Sequence, residues 1–313
     1  SRKQQRILMA IQQALPTVLG TKGLPATERV TVGRYLAKIG DPRPEINTVD
    51  ATRFCHVPAG TFFMGENERL HEFDLNYDYW IARYPVTVAQ FQAFVDERNF
   101  VVGNSRALKA DGNTPVVWVS QQEALAFCDW LTGRWRKAGW LSEALRVALP
   151  NEPEWEKAAR GGSKMLVVPL VANIATLSSK NFTCQGAEQL NPEPQRRYPW
   201  GNEIDDECVN YQRNAGGVSM PGIYFRGKSP YGCHDLAGNV WEWTRSKQGD
   251  SPNPAVGTVT WKQRESGGSA VCVLRGGAFY NDRFGVRCAA RISIVPVGRD
   301  FDIGFRVVLS PLR

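Results

Sequence analysis

Apolar positions recur at helical spacing in five stretches of the chain, and most of these stretches carry start or stop signals. Ile7, Leu8, Ile11 and Leu15 mark the first, which Pro16 is expected to end. The second covers roughly 26–39, where Val30, Gly33, Tyr35, Leu36 and Ile39 precede the stop Gly40-Asp41-Pro42. Residues 1–50 therefore read as a helical N-terminal extension without chemistry of its own. In the third, Thr87 and Gln90 fit a capping box opening a helix over 88–99, with Phe91, Phe94 and Val95 on its apolar face. Ser120-Gln121-Gln122-Glu123 opens the fourth, which carries Leu125, Cys128, Leu131 and Trp135 near one stripe. The fifth starts at Asn151-Glu152-Pro153-Glu154 and closes at Gly161-Gly162. Residues 54–65 read as two short strands in a hairpin around Pro58-Ala59-Gly60, and residues 79–85 as another strand.

From about Ser163 the helical period vanishes. Residues 163–274 are rich in Gly, Pro, Asn and aromatics, which predicts loops and short strands pinned to the helices, with 246–269 as a mobile insertion. The last segment, 275–306, has recognisable ends: Arg275-Gly276-Gly277 at its entry and Ile303-Gly304-Phe305-Arg306-Val307-Val308 at its exit, with Val286-Arg287-Cys288-Ala289-Ala290-Arg291 between them. The residues set into this frame follow neither a helical nor a strand period. They are Tyr280, Asn281, Asp282, Phe284 and Gly285; Ile292, Ser293, Ile294 and Val295; and Val297, Gly298, Asp300, Phe301 and Asp302. Aperiodic side chains on a fixed backbone predict a binding surface, not a core element.

Length and composition narrow the class. A chain of 313 residues can bury a large core as one sizeable domain or two modest ones. No apolar run is long enough to span a bilayer. The net charge of +7 is scattered instead of striped, which argues for a basic soluble surface and against a specific nucleic-acid partner. Seven dispersed cysteines without a C-x-x-C pair predict reduced, mostly buried thiols and a cytoplasmic setting, with one or two disulfides left open. Three separated histidines give little support to a histidine metal centre or triad. The chain begins at Ser1, so a preceding segment is left open.

Five ordered motifs then carry a resemblance. They are residues 149–162 (LPNEPEWEKAARGG), Pro199-Trp200-Gly201-Asn202, Gly238-Asn239-Val240-Trp241-Glu242-Trp243, Leu274-Arg275-Gly276-Gly277, and Gly304-Phe305-Arg306. Their order and spacing resemble formylglycine-generating-enzyme (sulfatase-modifying-factor) domains over residues 54–309. The resemblance implies an α+β architecture for residues 51–313, the elaborated C-type lectin fold of that family, with little regular secondary structure. Enzymes of the family place two copper-binding cysteines just after the Arg-Gly-Gly entry. Here residues 278–285 read AFYNDRFG, without a cysteine, and Cys288 matches a frame position. The histidine cluster of the related iron-dependent sulfoxide synthases is absent too. No copper and no catalysis are therefore expected.

The same segment resembles the variable region of diversity-generating-retroelement target proteins, which share the lectin fold. There, adenine-directed mutagenesis turns AAY codons into NNY codons, which never encode Lys, Glu, Gln, Met or Trp. All fourteen in-between residues obey that exclusion. The implied function is ligand display toward a protein or other macromolecule whose identity the sequence does not fix. Tyr280, Phe284 and Phe301 would be the contact anchors. Gly276, Gly277 and Gly304 would serve tight backbone, and Arg287, Arg291 and Arg306 would act as clamps. The alternatives are an oxidase of the formylglycine type or a catalytically silent domain of a signalling protein. The family pattern also implies one Ca²⁺ held by Asp235 and Glu242 side chains with main-chain oxygens of Gly238 and Val240. For Glu242 a buried salt bridge to a frame arginine stands equally open. A second calcium position is matched only by Asn210 and the Tyr211 carbonyl.

Overall fold

The computed structural model describes residues 2–19, 21, 23–177, 186–249 and 271–311. Three helices lead: α1 (Arg2–Leu19), α2 (Ala26–Ile39) and the single turn α3 (Pro44–Asn47). Helix α1 runs through Pro16 instead of ending there, and Ile7, Leu8 and Ile11, whose spacing announced it, are exposed. Helix α2 buries Val30, Gly33 and Leu36 but leaves Tyr35 in solvent. Its partners are Ala215, Met220, Ile223 and Tyr224 of a distant loop. Arg29 fastens the contact by donating to the Ile223 carbonyl at 2.8 Å and to Glu207 at 2.9 Å. The N-terminal helices are thus packed onto the body through both apolar and charged contacts.

Strands β1 (Arg53–Val57), β2 (Gly60–Met64), β3 (His71–Leu75) and β4 (Tyr79–Ala82) follow. The expected hairpin over 54–65 does not form: β1 pairs with β4, and β2 pairs with β3. The burial patterns explain why. Strand β1 is covered on both faces after its first residue and so belongs inside a sheet, whereas β2 is only partly covered and suits a two-stranded ribbon.

Helices α4 (Val88–Arg98), α5 (Gln121–Lys137) and α6 (Glu152–Arg160) each open with a reciprocal capping box, at Thr87/Gln90, Ser120/Glu123 and Asn151/Glu154. Two orphan donors are satisfied at each start, which fixes where the chain turns into helix. The buried stripe of α5 is Ala124, Phe127, Cys128, Leu131 and Trp135; Leu125 lies outside it, exposed. Around these helices lie β5 (Leu145–Ala148), β6 (Lys164–Leu166), β7 (Val171–Asn173), β8 (Glu188–Leu190), β9 (Trp241–Lys247), β10 (Cys272–Arg275), β11 (Arg291–Ile294), β12 (Ile303–Gly304) and β13 (Val308–Pro311).

The strands make a five-stranded sheet, β5-β13-β4-β1-β7, a four-stranded sheet, β11-β10-β9-β12, and ribbons β2-β3 and β6-β8. The C-terminal strand β13 sits between β4 and β5, so the end of the chain closes the first sheet. Trp80, Phe91, Phe127, Trp135, Trp243 and Phe305 centre the larger core, and Trp155 with Tyr231, Leu236 and Cys288 a second under α6. The 275–306 segment is not wholly irregular, because Arg291–Ile294 pairs with β10 and Ile303–Gly304 runs parallel to β9. Most of the expected 246–269 insertion, from 250 on, lies outside the described residues. Among those residues, no helix is long and apolar enough to cross a membrane.

Candidate ligand-binding surface

Strand β10 delivers the chain to Arg275, and the two glycines after it turn where a side chain could not. Gly277 has φ +77°, and a Cβ there would lie 2.3 Å from the Gly285 carbonyl oxygen. Gly304 at the exit is needed for space: a Cβ would meet the Val116 carbonyl oxygen at 2.4 Å. Between them the backbone is pinned by neighbouring loops. Arg213 N donates to Phe279 O at 2.7 Å, Gln212 N to Asn281 O at 2.9 Å, and Cys288 N to Arg197 O at 2.7 Å.

Charge holds the frame from beneath. Arg275, buried, donates to Glu152 at 3.1 Å, to Glu156 at 2.5 Å and to the Cys288 carbonyl at 2.6 Å. Arg291 grips Glu152 with two bonds of 2.9 Å. Arg306 does the same to Glu242, at 2.6 Å to each oxygen, and reaches the Ala82, His234 and Asp235 carbonyls. Arg287 donates to Phe284 O and pairs with Glu66, both at 3.0 Å. Glu152 and Glu156 were not picked out as partners in the sequence. Their signal was present in α6, where carboxylates recur at 152 and 156 on one face of a helix that is otherwise core.

Exposure distinguishes most of the two residue sets. Among the fourteen in-between residues, Tyr280, Asp282, Phe284, Ile292, Val295, Val297, Asp300 and Phe301 are exposed, and Asn281, Gly285, Ser293, Ile294 and Gly298 are half-buried. Of the frame, Arg275 to Gly277, Val286, Cys288, Ala290 and Ile303 to Val308 are buried, Arg287 and Ala289 are half-buried, and Arg291 is exposed. Three in-between residues also brace the segment itself. Asp302 is buried and accepts from the Tyr280 hydroxyl at 2.8 Å. Asn281 accepts from Ala278 N at 2.7 Å, and Asp282 from Phe284 N and Gly285 N at 3.0 Å each. Burial, aided by Asp302, pushes the Tyr280 hydroxyl up to about 12, so it remains a donor at neutral pH.

Two patches result. On one, Tyr280 and Phe301 lie 5.6 Å apart, with Phe279 and Trp118 behind Phe301 and Arg213 over both Phe279 and Tyr280. On the other, Asn281, Phe284, Gly285 and Ile292 line a cleft of about 600 Å³ shared with Arg69, Arg275, Arg287 and Arg291.

Residues 278–285 supply no thiol. Cys288 is buried, and that burial pushes its thiol up to about 12. The six described cysteines are all buried thiols. No group of three or more His, Cys, Asp or Glu able to hold a metal occurs among the described residues. Of the calcium set implied by the family pattern, Glu242 does not fit the ion as arranged. Both its oxygens hold Arg306, Oε2 also accepts from Trp155 Nε1 at 2.7 Å, and the side chain is fully buried. A dication there would have to displace a guanidinium that already supplies the positive charge. Asp235 accepts from Gly222 N at 2.8 Å, and burial pushes its carboxyl up to about 6. At the second position Asn210 Oδ1 is buried without a hydrogen-bond partner among the described residues.

The family model described as "Sulfatase-modifying factor enzyme 1-like domain" matches residues 40–311. Mouse formylglycine-generating enzyme is 29% identical over 218 residues, covering 64% of this chain and 45% of that protein. The bovine "inactive C-alpha-formylglycine-generating enzyme 2" is 30% identical over 209 residues, covering 61% and 49%. The chain thus spans about half the length of the curated relatives it matches. Among solved structures, Treponema denticola variable protein 1 superposes with a TM-score of 0.56 at 22% identity, covering 83% of this chain and 95% of that one. The α+β lectin-type architecture expected from the motifs is therefore the one observed. With its motifs, its sheets and the family match across residues 40–311 in agreement, the chain belongs to the sulfatase-modifying factor enzyme 1-like domain family.

Proposed function

We propose that this chain is a binding module, a lectin-type scaffold displaying a diversified surface, and not a formylglycine-type oxidase. The observation that carries the proposal is the division of the 275–306 segment. Thirteen of the fourteen in-between residues reach solvent at least in part, while most of the frame around them is buried and its arginines are ion-paired. Such positions can change at small cost to folding, and core positions cannot. The NNY exclusion supports diversification by a retroelement, and the likeness in fold to Treponema denticola variable protein 1 agrees with the scaffold's use. The ligand is a protein or other macromolecule that meets Tyr280, Phe284 and Phe301, rigid aromatics that give contact area at low entropy cost.

The rival reading is an oxidase, favoured by the names of several relatives. Thiolates where those enzymes keep theirs would be its requirement, and residues 278–285 have none. Incubation with a Cys-x-Pro-x-Arg peptide, copper and oxygen separates the two. No aldehyde above the peptide-only control is expected; steady turnover to aldehyde would overturn the binding proposal.

A further inference from the structure

The cleft beside the display surface has a fixed floor and a changeable rim, and its hydrogen bonding is unbalanced. Every described carboxylate on its wall is already answered by a guanidinium: Glu66 by Arg287, Glu152 by Arg275 and Arg291, and Glu156 by Arg275 and Arg160. Glu156 also accepts from Gly65 N at 2.8 Å. Donors remain unused. The exposed Arg69 guanidinium lines the cleft and is engaged by no hydrogen bond or ion pair among the described residues. The Nε of Arg275, a residue 1% exposed, is buried without a partner. Arg283 and Arg287 flank the Phe284 ring at 4.9 and 5.5 Å from its centroid, adding positive charge at the rim. A guanidinium carries five donors and no acceptor, and a carboxylate meets a wall of this kind with the strongest, charge-assisted bonds.

We infer that this cleft anchors a carboxylate of an acidic peptide segment, whatever the in-between side chains are. The inference rests on the display proposal and narrows it. The frame arginines select acidic targets in common, and Asn281, Phe284, Gly285 and Ile292 then choose among them. Phe284 and Ile292 are exposed apolar groups placed to cover the stem of an anchored Asp or Glu.

The test uses the full chain with the fourteen in-between positions randomised and the frame kept. The library is panned against acetylated peptides containing Asp and Glu, and against the same peptides with Asn and Gln. Recovery is expected predominantly on the acidic set. In recovered binders Arg69→Gln should weaken binding by about tenfold, the loss of one charge-assisted bond. Arg69→Glu should move preference toward Lys-containing peptides. Both substitutions are at an exposed side chain, and an unchanged melting temperature confirms that each variant is folded. Equal recovery on both sets, or indifference to Arg69→Gln, would overturn the anionic anchor and leave the display proposal standing. A folded library that yields no binder to either set would overturn both.

Discussion

Arg306 and Glu242 meet through two charge-assisted hydrogen bonds with neither side chain in solvent. Such a pair is costly to break from one side, because the survivor is left charged and dry. Arg306→Met should therefore destabilise the fold by about 3–5 kcal/mol in chemical denaturation, and Arg306→Met with Glu242→Leu by distinctly less. Asp235 gives a second prediction at this scale. Its carboxyl is pushed above the ordinary carboxylate range to about 6, chiefly by burial. An acid of this kind binds more protons folded than unfolded between its two pKa values. The stability it permits is full below the unfolded value of about 4 and is lost as pH rises through about 6. Asp235→Asn, which keeps an acceptor for Gly222 N, should raise the melting temperature at pH 7 by a few degrees, and the gain should vanish below about pH 4. Millimolar calcium should leave that difference unchanged, since Glu242 is closed to the ion. A gain in melting temperature with calcium that Asp235→Asn abolishes would restore the calcium site.

At the scale of elements, local signals were readable and pairings were not. The capping boxes at Thr87, Ser120 and Asn151 are complete within four residues each, so the starts of α4, α5 and α6 follow from the chain alone. The partners of β1 lie at 79–82 and 171–173, and no pattern within 53–57 points to them. The same holds for the site. Arg291 and Arg306 were legible as clamps because the motifs that contain them are, but Glu152, which answers Arg291, is held by an ion pair across 139 positions. Pro16 misled because a helix can pass a proline at the cost of one hydrogen bond. The segment itself yields the sharpest contrast. Gly277→Ala places a Cβ against the Gly285 carbonyl in a backbone that disfavours side chains, so a loss of more than about 1 kcal/mol is expected. Phe284→Ser and Val297→Ser, at exposed positions, should each stay within about 0.5 kcal/mol of the parent. Comparable losses at all three sites would mean that frame and surface are not separable.

At the scale of the whole molecule, a lectin-type body carries the proposed display surface. The four-stranded sheet and α6 converge on the frame: β10 leads into it, β12 carries its exit alongside β9, and the glutamates of α6 hold Arg275 and Arg291. Residues 278–285, eight positions without a cysteine, follow the Arg-Gly-Gly entry, and Tyr280, Phe284 and Phe301 in and near this stretch face outward.

The central claim is that those outward residues are written by directed mutagenesis, and the DNA beside the coding segment tests it most directly. Sequencing should find a near-identical copy of the stretch encoding residues 275–306 whose mismatches fall at adenines of the copy, within the codons for Tyr280 through Asp302. A copy with mismatches scattered through the codons of Arg287, Cys288, Arg291 and Gly304, or no copy near the gene, would contradict the claim.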